Sequence, residues 1–90
     1  MKFDWDVSKA ESNLRKHGVS FDEAGSVFLD TLAVSGRDPD HSFEEERYIT
    51  FGISSLGRLL AISHTYRPGI IRIISARRVT RGERKLYEEG

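Results

Sequence analysis

The last third of the chain constrains the fold most, because a run of β-branched residues ends abruptly in two arginines. Four isoleucines lie within residues 70–76, and β-branched side chains pack well on a pleated surface. This segment is therefore predicted to be a central strand, buried on both faces. The hydrophobic run stops at Arg77 and Arg78, and Thr80 with Glu83 then forms the capping-box pattern that opens a helix. The sequence predicts a strand that leads into a C-terminal helix through a pair of arginines.

Positive charge is concentrated around this junction. Between positions 72 and 85 the chain carries six basic residues and one acidic residue. That density at the end of a strand predicts a site for phosphate, because Lys and Arg neutralise phosphates. The alternative for the helix arginines is a solvated helix face, which is what charge runs usually form. The basic residues are Arg72, Arg77, Arg78, Arg81, Arg84 and Lys85.

The formal net charge of zero hides an asymmetry between the two halves of the chain. Residues 1–46 hold five basic and eleven acidic residues, a net charge of −6, whereas residues 47–90 hold nine basic and three acidic residues, a net charge of +6. Local potential, not net charge, attracts nucleic acid, so this polarity is compatible with RNA binding. Like charges so close together also repel one another. We therefore expect an acidic partner segment to offset the repulsion and to raise the melting temperature.

Size and composition narrow the function further. Ninety residues suit one domain and leave no room for a large enzyme cleft. The chain has no cysteine, and its histidines, His17, His41 and His64, lack the spacing that metal ligation favours, so no metal or other cofactor is expected. No apolar window approaches the ~20 residues of a membrane span, and no signal peptide is evident. A cytoplasmic protein is the default expectation.

Periodicity predicts an α+β fold with two N-terminal helices, an antiparallel meander of three to four strands, and a C-terminal helix. Capping-box patterns that begin at Ser8 and Ser20 predict helices over residues 9–17 and 21–29, the first ending at Gly18. Alternating or apolar runs predict the strands, with turns at residues 54–57 and 65–69. The predicted strands are 47–53, 58–64 and 70–76, with a fourth near 32–34 and a short edge strand at 2–5.

Several polar side chains are candidates for chemistry, and each also has a structural interpretation. His64 is predicted to end the middle strand, where it is a candidate acid or base beside a bound phosphate or a histidine hydrogen-bonded in the turn. Lys16 and His17 close the first helix, where the helix dipole alone would favour cations. The three glutamates before Arg47, at positions 44–46, are candidate bases or exposed loop residues kept away from the basic strand end. Tyr48, Tyr66 and Tyr87 are candidates for stacking on bases or for packing.

Phosphate loops, a serine nucleophile elbow and spaced catalytic carboxylates are missing from the sequence. An enzyme of this composition has cations, a histidine and polar side chains with which to work. Metal-independent RNA cleavage fits that set, because the 2′-OH of the RNA is the nucleophile and the protein supplies proton transfer and positive charge. Arginine suits the second role, since it stays charged and grips two phosphate oxygens.

Three segments of the chain closely resemble the BrnT toxins of bacterial type II toxin–antitoxin modules. They are FDWDVSKAESNLRKHGVSFDEA, DPDHSFEEERYITFGISSLGRLLAISHT and RIISARRVTRGERKLYEEG. The most specific pieces are the segment from Asn13 to Val19, the Glu46-Arg47 pair, and Ile74 to Arg77 leading to Glu83, Arg84 and Tyr87.

The resemblance implies a RelE-like fold and a ribonuclease that arrests translation. It also implies neutralisation by a BrnA-type antitoxin, a ribbon-helix-helix DNA binder whose complex with the toxin represses their operon. Carried over by position, the RNA site would comprise Lys16, Arg47, His64, Arg77 and Arg72. Assisting residues in RNA binding would be Arg78, Arg81, Arg84 and Tyr87.

Two functional hypotheses follow. In the first, the chain is a metal-independent endoribonuclease in which Arg77 and Arg47 stabilise the transition-state charge and His64 or Lys16 handles protons. In the second, it is a non-catalytic module, or a decayed toxin, whose basic face binds an acidic partner or nucleic acid.

Overall fold

The computed structural model describes residues 1–41 and 45–90 and confirms the predicted α+β class. Five strands and three α-helices occur in this part of the chain, with short 3₁₀ turns at Val27–Leu29 and Pro39–His41. In chain order the elements are β1 (Lys2–Asp4), α1 (Val7–His17), α2 (Phe21–Ser26), β2 (Val34–Arg37), β3 (Tyr48–Ile53), β4 (Leu59–Arg67), β5 (Ile70–Arg78) and α3 (Arg81–Glu89). Among the described residues, no helix combines the length and the apolar character needed to cross a membrane.

The strands form one sheet in the order β1-β5-β4-β3-β2. The predicted meander of β3, β4 and β5 is confirmed, and β2 adds the predicted fourth strand, antiparallel to β3. The predicted edge strand is present as β1, but it pairs parallel with β5, so the sheet is mixed. The prediction that residues 70–76 form a central strand buried on both faces is wrong. In the five-stranded sheet β4 is central, and buried and half-buried residues alternate along much of β5.

The hairpin between β4 and β5 is tighter than predicted. The sequence places a turn at residues 65–69, whereas pairing continues to the partners Arg67 and Ile70. The turn is reduced to Pro68 and Gly69, and Gly69 has a φ angle of 73°, in the left-handed region that glycine adopts without strain. His64 consequently lies inside β4 and not at its end.

Helix α1 begins earlier than the sequence predicts. Its N-cap is Asp6, whose Oδ1 accepts a hydrogen bond from the backbone N–H of Lys9 at 3.1 Å, so the predicted cap at Ser8 is wrong. Two cap-forming residues lie two positions apart here, and the earlier one opens the helix. Gly18 ends α1 in the left-handed conformation, with a φ angle of 67°, as predicted.

The helices α1 and α2 cover one face of the sheet, which we call the helix-packed face; the opposite side is the open face. The core between α2 and the sheet is continuous and apolar. At its edge, a Cβ atom on Gly52 would lie 2.8 Å from Cγ1 of Val27, so β3 approaches the turn after α2 as closely as a glycine permits. The buried core residues are Val19, Phe21, Ala24, Val27, Leu60, Ile62, Ile73 and Ala76.

Asn13 attaches α1 to the edge of β5. Its Nδ2 donates to the carbonyl oxygens of Ala76 and Val19 at 2.8 and 2.9 Å, and its Oδ1 accepts from the N–H of Ala76 at 3.0 Å. The side-chain amide therefore bonds β5 as a neighbouring strand would, beyond the point where β1 ends. This contact fixes the C-terminal half of α1 beside the predicted arginine-rich strand.

A buried ion pair ties α2 to the hairpin between β3 and β4. Arg58 donates through Nε to Oε2 of Glu23 at 2.9 Å and through Nη2 to Oε1 of the same carboxylate. Ser54 donates to Oε2 at 2.7 Å, and Arg58 also donates to the carbonyl oxygen of Gly18 at 2.9 Å. The hydrogen bond from Arg58 lowers the pKa of Glu23. The second predicted capping box is thus only half present: Ser20 caps α2 by accepting from the N–H of Glu23, but the Glu23 side chain serves this network.

Helix α3 begins with the predicted capping box at Thr80 and Glu83, which is confirmed. The helix contains no buried residue and contacts β3. Near its far end, the hydroxyl group of Tyr87 donates to Oδ2 of Asp30 at 2.6 Å, and the same oxygen accepts from the N–H of Ile53 at 2.8 Å. Polar contacts at both ends therefore hold α3 in place.

Candidate nucleic-acid interface

The open face of the sheet carries two of the predicted arginines in one row with small polar residues. Directly paired residues of neighbouring strands project from the same face. Arg72 is paired with Thr65, Ser75 with Ser63, and Arg77 with Ala61. Those three β4 residues alternate with the core residues of β4, so the whole row lies on the open face. Ala61 and Thr65 are nevertheless buried, and the exposed surface of the row belongs mainly to the arginine side chains.

A β-bulge is the reason that Arg72 and Arg77 share this face. Five positions separate them, and in a regular strand an odd separation puts two side chains on opposite faces. The pairing of β5 with β4 shifts between Ser63 and His64, so Ile74 is an extra residue without an opposite partner. This bulge restores both arginines to one face. Four residues of β4 span the distance between their partners, about 13 Å at the rise of an extended strand.

At one end of the row, Arg77 is held by Glu83 of α3. Its Nη1 and Nη2 atoms donate to the two carboxylate oxygens at 2.7 and 2.9 Å. Glu83 also accepts from the N–H of Thr80 at 2.8 Å as part of the capping box. The hydrogen bond from Arg77 is the main reason that the pKa of Glu83 falls to about 2. Nη1 of Arg77 also donates to the carbonyl oxygen of Arg78 at 3.2 Å, and 37% of the Arg77 side chain is exposed.

The other end of the row is also basic and also neutralised. Arg72 donates to Oδ1 of Asp4 at 2.8 Å. Arg47 precedes Tyr48, which is paired with His64 of β4. The next residue of β4, Thr65, is paired with Arg72, so Arg47 and Arg72 lie at the same end of the sheet. Glu45 lies 3.5 Å from Arg47 and 3.8 Å from Arg67. The predicted cluster is therefore two smaller groups, one at each end of the open face.

Lys16 belongs to neither of these two groups and lies in the last turn of α1. It lines a cleft together with His17, Ile74 and Ser75. Because Ser75 belongs to the open-face row, the cleft borders that row at the edge of β5. The structure thus places Lys16 close to the strand segment that carries Arg77.

The remaining predicted RNA-binding residues lie elsewhere. Arg78 is paired with Leu60, a core residue, so its side chain is on the opposite side of the sheet from Arg77. Arg81 and Arg84 are exposed on α3, and Arg84 lies 4.0 Å from Glu88. Tyr87 is half-buried, and its hydroxyl group is bonded to Asp30, which raises the pKa of that phenol. Tyr87 therefore anchors α3, whereas Arg81 and Arg84 belong to a solvated face of that helix.

His64 is a core residue. It is fully buried, and its Nε2 atom lies 2.7 Å from Oγ1 of Thr50. Its ring packs against Phe28, Tyr48 and Tyr66, with centroid distances of 4.9, 6.1 and 5.1 Å. Burial lowers the pKa of His64 to about 4, so the ring is neutral at physiological pH. The predicted location at a strand end is wrong, because hairpin pairing continues past this residue.

Three acidic residues lie beside the predicted arginines. Asp4, Glu83 and Glu45 are each within ion-pair distance of one of them, and the loop residue Glu45 contacts Arg47 and Arg67, at the end of the sheet away from Arg77. These contacts offset the repulsion that was expected to require a partner. Glu45 and Glu46 are exposed, as expected of loop residues, while Glu44 lies outside the described residues. Within residues 1–41 and 45–90, no three acidic or histidine side chains are grouped closely enough to hold a metal ion.

Sequence reasoning missed the small polar residues that lie between Arg72 and Arg77 on the open face. Ser63 and Ser75 are paired across β4 and β5 and are half-buried. The only local signal was that residues 70–74 are isoleucine-rich without a clean alternation. A bulge explains that pattern, but an extended buried strand explains it equally well.

Comparison with known proteins identifies the family and the fold of the chain. A family model described as the ribonuclease toxin BrnT of type II toxin–antitoxin systems matches residues 5–83. The crystal structure of the Brucella abortus ribonuclease toxin BrnT shares the fold, with a TM-score of 0.67 and 23% sequence identity, over 90% of this chain and 99% of that chain. No curated protein sequence matches the chain.

Because this family model matches most of the chain, it places the chain among the toxins of type II toxin–antitoxin systems. Such a toxin implies an antitoxin partner. Within that class, the chain belongs to the BrnT family of ribonuclease toxins.

Proposed function

We propose that this chain is an active endoribonuclease that cleaves RNA without a metal ion. In the proposed reaction, the 2′-oxygen of one ribose attacks the adjacent phosphorus atom, and the bond from phosphorus to the 5′-oxygen of the next nucleotide breaks. The products are a 2′,3′-cyclic phosphate and a free 5′-hydroxyl group, so the 2′-proton passes to solvent water and the 5′-oxygen gains a proton from a donor in the protein. The observation that carries the proposal is the bulge that aligns Arg72 and Arg77 on the open face.

Arg77 is the residue that we assign to the transition-state charge. Negative charge grows on the non-bridging phosphate oxygens during the attack, and preorganised charged donors stabilise it most effectively. Glu83 holds the guanidinium in place, and 37% of the Arg77 side chain is exposed. Arg47 and Arg72, at the other end of the face, suit neighbouring phosphates along the strand.

Lys16 is the residue that we assign to proton donation. It is exposed beside the open face, and an ammonium group carries protons that it can give to the departing 5′-oxygen. His64 is excluded from this role in our proposal. Its ring is enclosed by aromatic side chains on the helix-packed face, where an RNA strand on the open face does not reach it.

The biological setting proposed for this activity is arrest of translation in the cytoplasm. A BrnA-type antitoxin, a ribbon-helix-helix DNA binder, would neutralise the toxin, and operator DNA would be bound only through the complex. Induced expression with and without the neighbouring antitoxin candidate tests this. Growth arrest with RNA fragmentation, reversed by the partner, is expected.

The activity itself is tested by incubating the purified chain with RNA in the presence and absence of EDTA. We expect cleavage in both conditions and products that end in a 2′,3′-cyclic phosphate. Arg77→Gln is expected to lower kcat by about 10²- to 10³-fold, the usual loss when one charged donor to a transition state is removed. Arg78→Gln is the matched control, because it removes the same charge from the next residue, on the other side of the sheet. Equal losses in both variants would contradict the assignment of Arg77.

One observation weakens the case for catalysis by the arginines of the open face and so favours the alternative of a non-catalytic module. Arg72 and Arg77 are each hydrogen-bonded to a carboxylate, so the open face is less positive than its arginine count indicates. Protein that binds RNA and leaves it intact, with and without EDTA, would support that alternative against the ribonuclease.

A further inference from the structure

The cleft between α1 and β5 is a cationic feature that lies beside the open face. It has a volume of about 190 Å³, and no acidic residue lines it. By comparison, a water molecule occupies about 30 Å³ in the liquid, so the cleft has room for a phosphodiester group. Its polar lining comprises Lys9, Ser12, Asn13, Lys16 and His17 from α1 and Ser75 from β5; the amide of Asn13 is bonded to the backbone of Val19 and Ala76.

The polar groups of this cleft are available to a ligand. Within the described parts of the chain, no hydrogen bond or ion pair engages the ammonium groups of Lys9 and Lys16 or the hydroxyl groups of Ser12 and Ser75. The arginines of the open face differ in this respect, since Arg72 and Arg77 are both paired with carboxylates. The unpaired positive charge beside the open face is therefore in the cleft.

The two lysines of the cleft lie at opposite ends of α1. Lys16 is in the last turn, where a cation interacts favourably with the negative end of the helix dipole. Lys9 is in the first turn, where the dipole disfavours a cation, but the N-cap of this turn is the carboxylate Asp6, which accepts a hydrogen bond from the N–H of Lys9. Both lysines are therefore compatible with the dipole of α1.

The cleft lies within one nucleotide of the proposed catalytic arginine. Ser75 lines the cleft and also belongs to the open-face row, and Arg77 lies two residues further along β5 on the same face. Two residues of a strand span about 7 Å. A single nucleotide of an extended RNA strand covers that distance between consecutive phosphates.

We propose that this cleft binds a backbone phosphate of single-stranded RNA, next to the phosphate that Arg77 contacts. Lys9 neutralises the phosphate, Ser12 and Ser75 donate hydrogen bonds to it, and Lys16 keeps its proposed role as proton donor at the neighbouring, scissile phosphate. The inference rests on the proposed ribonuclease function and adds Lys9, Ser12 and Ser75 to the substrate contacts. It predicts a defined path for the RNA, from the open face across the edge of β5 to α1.

The first experiment measures binding of a fully 2′-O-methylated RNA, which lacks the nucleophile and stays intact. The logarithm of the affinity is plotted against the logarithm of the salt concentration for the wild type, Lys9→Gln and Arg15→Gln. Each phosphate contact on a single strand contributes about 0.7 to the slope, so Lys9→Gln is expected to reduce its magnitude by about 0.7. Arg15→Gln removes one charge from the same helix at a position that does not line the cleft, and its slope is expected to stay near that of the wild type.

The second experiment needs no RNA. Inorganic phosphate is titrated into the full chain and followed by NMR. We expect saturable shifts at His17 and Ser75 in the wild type and none in Lys9→Gln, whose melting temperature is not lowered.

Equal salt slopes for Lys9→Gln and Arg15→Gln would overturn the cleft as an RNA subsite, and so would the absence of a saturable phosphate shift. The proposed function fails separately. Wild-type protein that shows both expected results and yet cleaves no natural RNA would support the proposed anion site and contradict the proposed ribonuclease function.

Discussion

The Arg58–Glu23 and Arg77–Glu83 pairs have the same chemistry in different surroundings. In both, a guanidinium donates to both oxygens of a glutamate. The side chains of the first pair are 24% and 5% exposed, and those of the second 37% and 20%. The buried pair is also hydrogen-bonded to Ser54 and to the carbonyl oxygen of Gly18 at the end of α1, so its role is structural. The more exposed pair keeps part of an arginine accessible on the open face, and accessibility is what separates a structural arginine from a candidate site residue.

The largest expected effect is on the buried pair. Arg58→Met leaves the Glu23 carboxylate buried without its main partner, which typically costs about 3–5 kcal/mol. We expect a loss of that order in the free energy of unfolding, measured by urea denaturation. Arg81→Met, which removes an exposed arginine of α3 away from this pair, is expected to change stability by no more than about 0.5 kcal/mol.

The double variant Arg58→Met, Glu23→Met sharpens this test. Replacement of a buried ion pair by apolar side chains is often neutral, whereas removal of one partner is not. The double variant is therefore expected to recover most of the lost stability. A single variant as stable as the wild type would show that the pair does not hold α2 to the hairpin.

The next effect concerns pH and the helix-packed face. The pKa of His64 falls from an ordinary value of 6.5 to about 4 because of burial, so the unfolded chain binds a proton more readily at this group than the folded chain does. The contribution of the neutral His64 ring to the free energy of unfolding is therefore fully present above pH 6.5. It is lost as the pH drops from 6.5 to about 4, and it amounts to about 3 kcal/mol in total. In His64→Phe this dependence is expected to flatten, because the titrating ring is gone and Thr50 keeps its hydrogen bond to Ser35. Unfolding measured across this pH range in both proteins checks it.

The same variant separates the core position of His64 in the structure from the proton-transfer role that the sequence suggested. A core histidine that does not touch substrate permits normal RNA cleavage by folded His64→Phe. Loss of cleavage in protein with unchanged RNA affinity and a native circular dichroism spectrum would restore the proton-transfer role that the sequence suggested.

Local patterns in the sequence predicted local structure well. The Thr80 capping box and the left-handed Gly18 each depend on neighbours a few residues away, and both are confirmed. The alternation of β3 predicts the strand but not its buried face, because Thr50 and Gly52 are buried while Ile53 is exposed. The contacts that decide function are long-range. Arg58 meets Glu23 across 35 positions, and Asn13 meets Ala76 across 63. No local period encodes such a pairing, so the sequence alone did not distinguish the buried arginine from the accessible one.

The candidate site was predicted in composition but not in arrangement. The arginines of β5 were identified from their density, but their faces depend on one extra residue, Ile74. Without the bulge, Arg72 and Arg77 would point to opposite sides. His64 was misplaced for a related reason, since the length of β4 is set by its pairing with β5 and not by its own sequence.

The smallest expected effect is on the accessible pair. Glu83→Gln removes the charge that holds Arg77, and partly exposed ion pairs contribute no more than about 1 kcal/mol. The pKa of Glu83 is lowered to about 2, chiefly by the hydrogen bond from Arg77. The contribution of the pair is therefore present above pH 4.5, the ordinary value, and is lost as the pH falls toward 2. The difference in unfolding free energy between the wild type and Glu83→Gln is expected to disappear over that interval.

RNA binding by Glu83→Gln decides what the exposed pair does in the free protein. The carboxylate competes with phosphate for the guanidinium, so its removal is expected to tighten RNA binding by up to about fivefold, equivalent to the ion-pair energy. Affinity for 2′-O-methylated RNA measures this apart from cleavage, and Glu88→Gln, on the same helix beside Arg84, is the matched control. If kcat falls while affinity stays constant, Glu83 instead positions Arg77 for the transition state. The accessible pair would then resemble the buried one, with a carboxylate that fixes the geometry of its arginine.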